Sequence, residues 1–442
     1  MKTLAPENPA TENYHLASTA PLHLTSRPSA AEAHHNRHTR LGIALNKPAQ
    51  VAIVGAGPYG LSIAAHLRAC GIRFRIFGRA MESWSTRMPA DMLLKSEGFA
   101  SNLYDPEGQF TLKRFCGRHG LRYADVGVPV SVETMVAYGR SFQEQLVPDL
   151  ENRMVTTVEK APNGFVLQLD NGEKVSVPRV IVAVGYTYFP YLPPGLDDLP
   201  PELLSHSSHE CDLSRFKGCD VTIIGGGASA LDLAALLHEI GAEVRLLTRR
   251  SSVVFNSEPV PRSIWDSIRS PMTQLGAGWR SVFFCDAPML FRYLPKETRL
   301  GLLKNSFQPA GGWQMKDRVA GRVPMLLARV LTNAKISAGR VHLDLLDEKG
   351  AHFELVTSHV IAATGYRVDI RRLRFLGEGI RADLHLEELA PVLSGDFESS
   401  IPGLFFVGLS SASHFGPVMR FVAGAGFTSQ RIAKHLTGVA RP

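Results

Sequence analysis

Cysteine is scarce in this sequence, with five residues in 442 and no CxxC pair among them. The five stand at irregular spacing, at Cys70, Cys116, Cys211, Cys219 and Cys285. An odd number of scattered cysteines excludes a disulfide-stapled scaffold and is typical of reduced thiols in a reducing compartment. Without a close cysteine pair, a redox dithiol is also disfavoured.

Long apolar runs are missing as well, because no stretch approaches the ~20 residues that are needed to span a bilayer. The N-terminus lacks the charged-then-apolar pattern of a secretory signal. The formal net charge is +7, but the basic residues never form dense runs. This spread favours anionic small molecules over nucleic acid. We therefore predict a cytoplasmic globular protein without membrane or nucleic-acid partners, and we leave open whether it forms a homo-oligomer.

The first 48 residues lack sustained apolar periodicity and are rich in Ser, Pro, Ala, Asn and His. Such a composition buries too little apolar surface to offset the entropy of ordering, so residues 1–48 are predicted to be a disordered tail. The tail contains HHNRH at residues 34–38. Nothing nearby supplies a fixed ligand geometry, so no metal site is predicted.

The ordered part opens with a strand, a glycine turn and a helix. Residues 51–60 read VAIVGAGPYG, and the strand FRIF follows the helix. The pattern GxGxxG serves a dinucleotide because Gly55 makes the tight turn, Gly57 lets the backbone approach a pyrophosphate, and Gly60 lets the helix pack. An acidic residue for the ribose is expected about 20 residues on. It is absent, and Glu82 or Arg79 is predicted to take its place.

A second unit repeats this pattern at residues 221–230, which read VTIIGGGASA. Gly225 and Gly227 form the turn, and Ser229 starts the helix. The next strand ends in Arg249 and Arg250 without a carboxylate. Guanidinium groups at that position favour the 2′-phosphate of NADPH, whereas a solvated basic pair is the alternative. The choice between NADH and NADPH therefore stays open.

Two such turns in one chain imply two dinucleotides. We expect FAD on the first turn and a nicotinamide nucleotide on the second, with a hydride passing between them. The predicted fold class is α/β, an FAD-binding Rossmann-like domain (49–190 and 355–442) with an inserted NAD(P)H-binding Rossmann-like domain (191–354). The inserted domain carries an aromatic and basic insertion at 254–324. A C-terminal helix is predicted to start at Pro417.

Four motifs carry a resemblance to a known family: GAGPYG from residue 55, GGGASA from 225, ATGYR at 363–367 and FFVGLSSASHFG at 405–416. With them, residues 51–437 resemble the two-dinucleotide-domain flavin monooxygenases, a class that includes N-hydroxylating and Baeyer–Villiger enzymes. The full Baeyer–Villiger fingerprint is missing. The resemblance implies cofactor contacts for Gly365, Gly408, Phe415 and Gly416 of these motifs. The stretch SWSTRMPADMLLKS at 83–96 resembles the segment that the N-hydroxylating branch places over FAD, which implies a role there for Trp84, Met92 and Lys95.

Within this class, the stretches GGWQMKDRVAGRVPM and FGPVMRFVAG look most similar to bacterial FAD-dependent urate hydroxylases. That resemblance implies conversion of urate to 5-hydroxyisourate with O2 and NAD(P)H through a C4a-(hydro)peroxyflavin. The insertion would form a lid, Arg318 or Arg322 would anchor the anionic substrate, and Lys95 would position the flavin or substrate. An amine N-hydroxylating monooxygenase is the main alternative. A disulfide-reductase-like enzyme is disfavoured by the missing CxxC, and a non-catalytic redox sensor is the third possibility.

Overall fold

The structure is a computed structural model that describes residues 49–439, so the predicted tail at 1–48 lies outside the described residues. The strands within the described range are β1 (Val51–Val54), β2 (Phe74–Phe77), β3 (Val155–Ala161), β4 (Gly164–Leu169), β5 (Lys174–Val177), β6 (Val180–Val182), β7 (Leu204–His206), β8 (Asp220–Ile224), β9 (Glu243–Leu247), β10 (Met272–Thr273), β11 (Gly276–Ala277), β12 (Met325–Leu326), β13 (Arg329–Ser337), β14 (Arg340–Asp347), β15 (His352–Thr357), β16 (His359–Ala362), β17 (Leu386–Glu387), β18 (Ala390–Pro391) and β19 (Leu404–Phe406).

The α-helices of the same range are α1 (Pro58–Ala69), α2 (Glu82–Thr86), α3 (Leu112–His119), α4 (Val132–Leu146), α5 (Ala228–Glu239), α6 (Ile264–Arg269), α7 (Trp279–Asp286), α8 (Pro288–Arg292), α9 (Lys296–Asn305), α10 (Lys316–Val319), α11 (Glu378–Asp383), α12 (Ala412–Phe415) and α13 (Gly424–Val439). Short 3-10 turns occur at Gly98–Ala100, Ser207–His209, Ser214–Phe216, Trp313–Met315, Ile370–Arg372, Gly408–Ser411 and Pro417–Arg420.

The first parallel sheet has the strand order β19-β6-β1-β2. Its central strand β1 has four buried residues, because a parallel strand covered on both faces must be apolar throughout. In register, Ile53 lies between Ile76 of β2 and Ile181 of β6. A three-stranded antiparallel sheet, β3-β4-β5, leads into β6.

The second parallel sheet repeats this plan with the order β12-β9-β8-β16-β7. Here too a three-stranded antiparallel sheet, β13-β14-β15, precedes a strand of the parallel sheet, β16. In each sheet, the first strand of the βαβ unit is followed by a glycine turn and then by a long helix, α1 or α5. The predicted fold class, α/β with two Rossmann-like units, is therefore confirmed.

One predicted domain boundary is wrong. The sequence placed the return to the first domain at residue 355, but β15 pairs with β14. The next strand, β16, pairs with β7 and β8 of the second sheet. The return therefore lies after Ala362. The cause is that a hairpin and the strand it feeds belong to the same unit, as β3-β4-β5 and β6 do in the first one.

The predicted helix start at Pro417 is also wrong. Residues Pro417–Arg420 form a 3-10 turn, Phe421 is extended, and the α-helix begins at Gly424. The phenol of Tyr59 donates hydrogen bonds to the carbonyl oxygens of Met419 and Phe421, at 3.2 and 2.9 Å. These long-range bonds hold the segment in a shape that a continuous helix would not allow.

A buried ion pair ties the insertion to the first unit. Arg299 of α9 and Glu387 of β17 are 9% and 8% exposed, and the guanidinium donates to the two carboxylate oxygens at 3.3 and 3.2 Å. The same guanidinium donates to the carbonyl oxygen of Ser413 at 2.6 Å. Removing one partner from a buried pair leaves an uncompensated charge, so this contact is sensitive to substitution.

We expect the Glu387→Gln variant to lower the free energy of unfolding by about 3–5 kcal/mol, because Arg299 would stay buried without its counter-charge. Urea unfolding followed by circular dichroism measures this change. The matched control is Glu388→Gln, which alters an exposed neighbour. Equal unfolding midpoints for the two variants would contradict the prediction.

Candidate functional site: two nucleotide cradles with a common wall

The first glycine turn leaves an open cradle at the start of α1. Gly55 has φ +114°, and a Cβ there would overlap the carbonyl oxygen of Ala183. A Cβ on Gly60 would overlap the carbonyl oxygen of Gly55, so helix and turn pack closely. A Cβ on Gly57 would meet nothing within 4 Å. The backbone at Gly57 and the helix N-terminus therefore face free space, which fits a pyrophosphate.

The second glycine turn has the same construction at the start of α5. Gly225 has φ +150°, and a Cβ there would overlap the carbonyl oxygen of Ala363. A Cβ on Gly227 would have its nearest neighbour, Cβ of Pro309, at 3.6 Å. Ala230 fills the third position and is fully buried. A methyl group is tolerated at that position, and the turn keeps its open cradle.

Each cradle opens into its own large cavity. The first cavity, about 1120 Å³, is lined by Gly55 and Gly57. The second cavity, about 2000 Å³, is lined by Gly225 and Gly227. Several residues line both, so the cavities have a common wall, which includes Lys95, Ser229, Phe307, Gly365, Tyr366 and Phe421. Two dinucleotides fit this arrangement with their reactive ends close together.

Most of the predicted cofactor residues line these cavities. The first cavity is also lined by Arg79, Glu82, Trp84, Met92 and Gly408. Ser229, Arg249, Arg250 and Gly365 line both cavities.

Three predicted cofactor residues line neither cavity: Gly60, which packs α1 against the glycine turn, and Phe415 and Gly416, which lie in the core. Phe415 is fully buried and stacks on Phe397 with ring centroids 4.0 Å apart. Gly416 lies against the ring of Phe291, and a Cβ on Gly416 would be 3.1 Å from that ring. Neither lines either cavity, so the prediction for these two residues is wrong. Their motif sits on α12 and the turn after it, whose apolar side chains pack inward.

The charged side chains that follow β2 and β9 differ in whether they form ion pairs or hydrogen bonds. Arg79 and Glu82, the two residues predicted to contact the ribose, form an ion pair of 2.8 Å after the end of β2. Arg250 donates to the side-chain oxygen of Gln308 at 3.0 Å. Arg249 has no hydrogen bond or ion pair to another described residue and is free to meet a phosphate.

A lysine and an aspartate of opposite charge lie at the end of the first cavity nearest the second. Lys95 follows Leu94, whose N–H donates to the carbonyl oxygen of Val130 at 2.7 Å. Burial lowers the pKa of Lys95 while the attraction of Asp232 raises it. Asp232 of α5 is 7% exposed and lines the first cavity. Burial raises its pKa to about 7, against the pull of Arg318 and Lys95.

The predicted substrate anchors are not at the site. Arg318 donates two hydrogen bonds to the carboxylate of Glu239, at 2.7 and 2.6 Å. Arg322 is exposed, and neither arginine lines a cavity. The anchoring role predicted for Arg318 and Arg322 is therefore corrected. Arg318 is already bound to the carboxylate of Glu239, 79 positions away in the chain.

Sequence reasoning missed five charged residues that line the first cavity: Arg87, Arg153, Asp232, Lys304 and Arg420. Asp232 and Arg420 both stand alone in apolar stretches, LDLAAL and PVMRFV. A single charge within an apolar run was the signal that could have marked Asp232, since a charged residue rarely stays buried without a partner. By contrast, none of the five cysteines, all within the described range, lines either cavity.

Two absences can be stated for residues 49–439. No helix there combines the length and the apolar character needed to cross a membrane. Within the same residues, no group of three or more His, Cys, Asp or Glu side chains is arranged to hold a metal ion.

Solved structures with the same architecture include flavin monooxygenases and bacillithiol disulfide reductases. An ornithine N-hydroxylase of Kutzneria sp. 744 superposes with a TM-score of 0.71 at 16% identity, covering 89% of this chain and 100% of that one. A cadaverine monooxygenase of Erwinia amylovora gives a TM-score of 0.70 at 17% identity, covering 89% and 95%. At these identities the likeness establishes the fold.

Relatives by sequence point the same way. Indole-3-pyruvate monooxygenase YUCCA1 of Oryza sativa subsp. japonica is 26% identical over 357 residues, covering 74% of this chain and 80% of that protein. Ferredoxin–NADP reductases match a shorter part, and the chain spans only 52% of the one from Bradyrhizobium sp.. Urate, the substrate predicted from the sequence, finds no support in these relatives.

The sequence profile described as pyridine nucleotide-disulphide oxidoreductase matches residues 52–276, just over half of the chain. This profile and the monooxygenase relatives confirm two predictions, a flavin-dependent oxidoreductase and its cofactors, FAD with a nicotinamide dinucleotide. The chain therefore belongs to the pyridine nucleotide-disulphide oxidoreductase family.

Proposed function

We propose that this flavin-dependent enzyme is a monooxygenase that hydroxylates the nitrogen of a small primary amine. The observation that carries the proposal is Asp232, a buried carboxyl that lines the first cavity and has no hydrogen bond or contact ion pair within residues 49–439. Structures with the same fold include enzymes that act on ornithine and cadaverine. Amine N-hydroxylation thus replaces urate as the favoured function.

Asp232 suits an ammonium ligand for electrostatic reasons. A buried carboxylate without a partner is costly, and burial accordingly raises the pKa of Asp232 to about 7. Lys95 and Arg318 attract Asp232 only at longer range, so a substrate ammonium would supply the direct hydrogen bonds and contact ion pair that Asp232 lacks. An amine attacks only when its nitrogen is unprotonated, and a carboxylate with this pKa is matched to accept the proton near neutral pH.

Each cofactor is assigned to the glycine turn and cavity that suit it. FAD is placed in the first cavity, with its pyrophosphate at Gly57, and the nicotinamide nucleotide in the second, at Gly227. FAD supplies the redox chemistry when bound, taking a hydride from the nicotinamide and reducing O2. The common wall, which carries Lys95, Ser229 and Phe421, holds the two reactive ends together and excludes water between them.

A thiol-based reaction is the alternative that the family name suggests. A disulfide reductase needs a cysteine beside the flavin, because the thiolate carries the electrons to the substrate. No cysteine lines either cavity. Oxygen is therefore favoured as the electron acceptor.

The proposal predicts that a panel of diamines and basic amino acids contains a substrate that is converted to a hydroxylamine with matching NAD(P)H and O2 consumption.

Asp232→Asn should raise the KM for that amine about 10- to 100-fold, the loss expected for a charged hydrogen bond. In the wild type, KM should fall as pH rises through about 7, because Asp232 becomes charged. Asp232→Asn should abolish this pH dependence.

The matched control for that experiment is Asp198→Asn, an exposed aspartate that lines neither cavity. Product analysis by mass spectrometry separates hydroxylation from idle NAD(P)H oxidation. The proposal fails if no amine in the panel yields a hydroxylamine, or if urate is converted to 5-hydroxyisourate while the amines are inert.

Two glycine substitutions should separate the cofactor sites. Gly57→Ala and Gly227→Ala both have room for the new methyl group and keep negative φ, so both variants should fold. The methyl of Gly57→Ala would occupy the first cradle and weaken FAD about tenfold or more, whereas Gly227→Ala should keep FAD and weaken the nicotinamide nucleotide by a similar factor. Fluorescence titration measures both affinities. Identical effects of the two variants would refute the assignment.

Arg249 should decide the choice of nicotinamide nucleotide. Because it is unpaired at the end of β9, Arg249→Ala should raise the KM for NADPH about tenfold or more and leave the KM for NADH nearly unchanged. Arg250→Ala, whose guanidinium is already bonded to Gln308, serves as the comparison. Equal losses with NADPH and NADH would show that Arg249 does not read the 2′-phosphate.

A further inference from the structure

Tyr59 joins the first glycine turn to a segment near the C-terminal end of the described chain. It is the second residue of α1, directly after the cradle at Gly57, and it is half-buried in the wall of the first cavity. Its hydroxyl donates to the carbonyl oxygens of Met419 and Phe421, at 3.2 and 2.9 Å. Because a hydroxyl carries one proton, the two carbonyl oxygens share a single donor. Tyr59 thereby holds this segment at two neighbouring points of its backbone.

The surrounding backbone leaves room for the tyrosine. A Cβ on Gly424 would overlap the hydroxyl of Tyr59, and a Cβ on Gly408 would lie 3.6 Å from its ring. Gly424 also begins α13, and its N–H donates to the carbonyl oxygen of Phe421 at 3.2 Å. A side chain at Gly424 would push the hydroxyl away from its two acceptors. The glycine and the tyrosine are therefore parts of one contact.

The segment that Tyr59 holds forms part of the wall between the two cavities. Its residues 419–422 line the first cavity, and Phe421 lines the second cavity as well. The backbone of Phe421 is extended, with φ −122° and ψ 161°, between the 3-10 turn and α13. Because its carbonyl oxygen is bonded to Tyr59, the tyrosine restrains the backbone from which the Phe421 ring projects.

Phe421 meets an aromatic ring of the insertion at this wall. The rings of Phe307 and Phe421 are edge to face, with centroids 5.6 Å apart, and Phe307 also lines both cavities. Phe307 has φ +54°, a left-handed conformation that bulky residues rarely adopt. Backbone strain of this kind is concentrated at functional sites. Two rings, one from each unit, thus meet where the two dinucleotides are proposed to react.

We infer that Tyr59 is a positioning residue. Its hydroxyl fixes Phe421 in the common wall and thereby sets how closely the two cofactor rings approach each other. Hydride transfer needs reacting atoms about 3–3.5 Å apart, and a misplacement of about 1 Å can slow a reaction about 100-fold. The inference rests on the proposed placement of FAD and the nicotinamide nucleotide, and it is independent of the amine substrate.

The test uses Tyr59→Phe, which removes the hydroxyl and keeps the ring, so this variant should fold and bind FAD within about threefold of the wild-type affinity. Amide hydrogen exchange of the FAD-loaded enzyme, followed by mass spectrometry, should become about three- to tenfold faster at residues 417–425, as expected for a lost hydrogen bond. In anaerobic stopped-flow measurements at saturating NAD(P)H, reduction of the flavin should become about tenfold slower or more.

Tyr138→Phe is the matched control. Tyr138 is fully buried and lines neither cavity, and its hydroxyl accepts from the N–H of Leu103 and donates to the carbonyl oxygen of Phe110. Tyr138→Phe should lower the urea midpoint of unfolding at least as much as Tyr59→Phe does. It should leave both flavin reduction and amide exchange at residues 417–425 unchanged, because a general loss of stability does not move the wall.

A double variant tests whether Tyr59 acts through the Phe421 ring. Phe421→Leu alone should slow flavin reduction, because the wall loses its ring. If Tyr59 acts through that ring, Tyr59→Phe combined with Phe421→Leu should slow reduction by less than the product of the two single effects.

Several results would overturn the inference. Wild-type reduction rates in Tyr59→Phe or in Phe421→Leu would show that the wall does not set the approach of the cofactors. Loss of FAD from Tyr59→Phe would assign Tyr59 to the cradle, and multiplicative effects in the double variant would separate it from Phe421. Slower flavin reduction in Tyr59→Phe of an enzyme that hydroxylates no amine would uphold the inference while the proposed function fails, so the two failures are distinguishable.

Discussion

The rest of the structure depends on one constraint. Two glycine turns lie against two cavities, and these cavities have a common wall. Gly55 and Gly225 take backbone conformations that side chains rarely adopt, and at both positions a Cβ would overlap a carbonyl oxygen of the neighbouring strand end. Each turn thereby exposes the N-terminus of a long helix to a cavity. Because the two cavities have lining residues in common, two dinucleotides bound in them would lie next to each other.

Local sequence patterns predicted the parts of this arrangement that local forces determine. The run VAIV, the glycine turn and FRIF fold as β1, α1 and β2. In these segments, strand alternation, glycine conformation and helix periodicity depend on residues a few positions apart, so the sequence contains enough information.

Interactions between distant residues explain the failures. The helix expected from Pro417 is a 3-10 turn, since Tyr59, some 360 positions earlier, binds its carbonyl groups. Arg318 pairs with Glu239 instead of a substrate, and Phe415 stacks on Phe397 instead of facing the flavin. Asp232 and Arg420 were overlooked for the same reason. Whether a charge faces a cavity depends on packing that no local pattern records.

Membership of a family named for disulfide chemistry and the proposed oxygen chemistry are compatible, because the fold supplies only the hydride path. The second half-reaction depends on what lies beside the flavin, and the first cavity, where FAD is proposed to bind, is lined by Lys95, Asp232 and Arg420 and by no cysteine. The most direct test is anaerobic reduction of the purified FAD enzyme by NADPH, followed by admission of O2. The account predicts that the flavin is bleached without any thiol or disulfide and is reoxidised with one O2 consumed per NADPH. A flavin that NADPH cannot reduce, or that only a disulfide reoxidises, would contradict it.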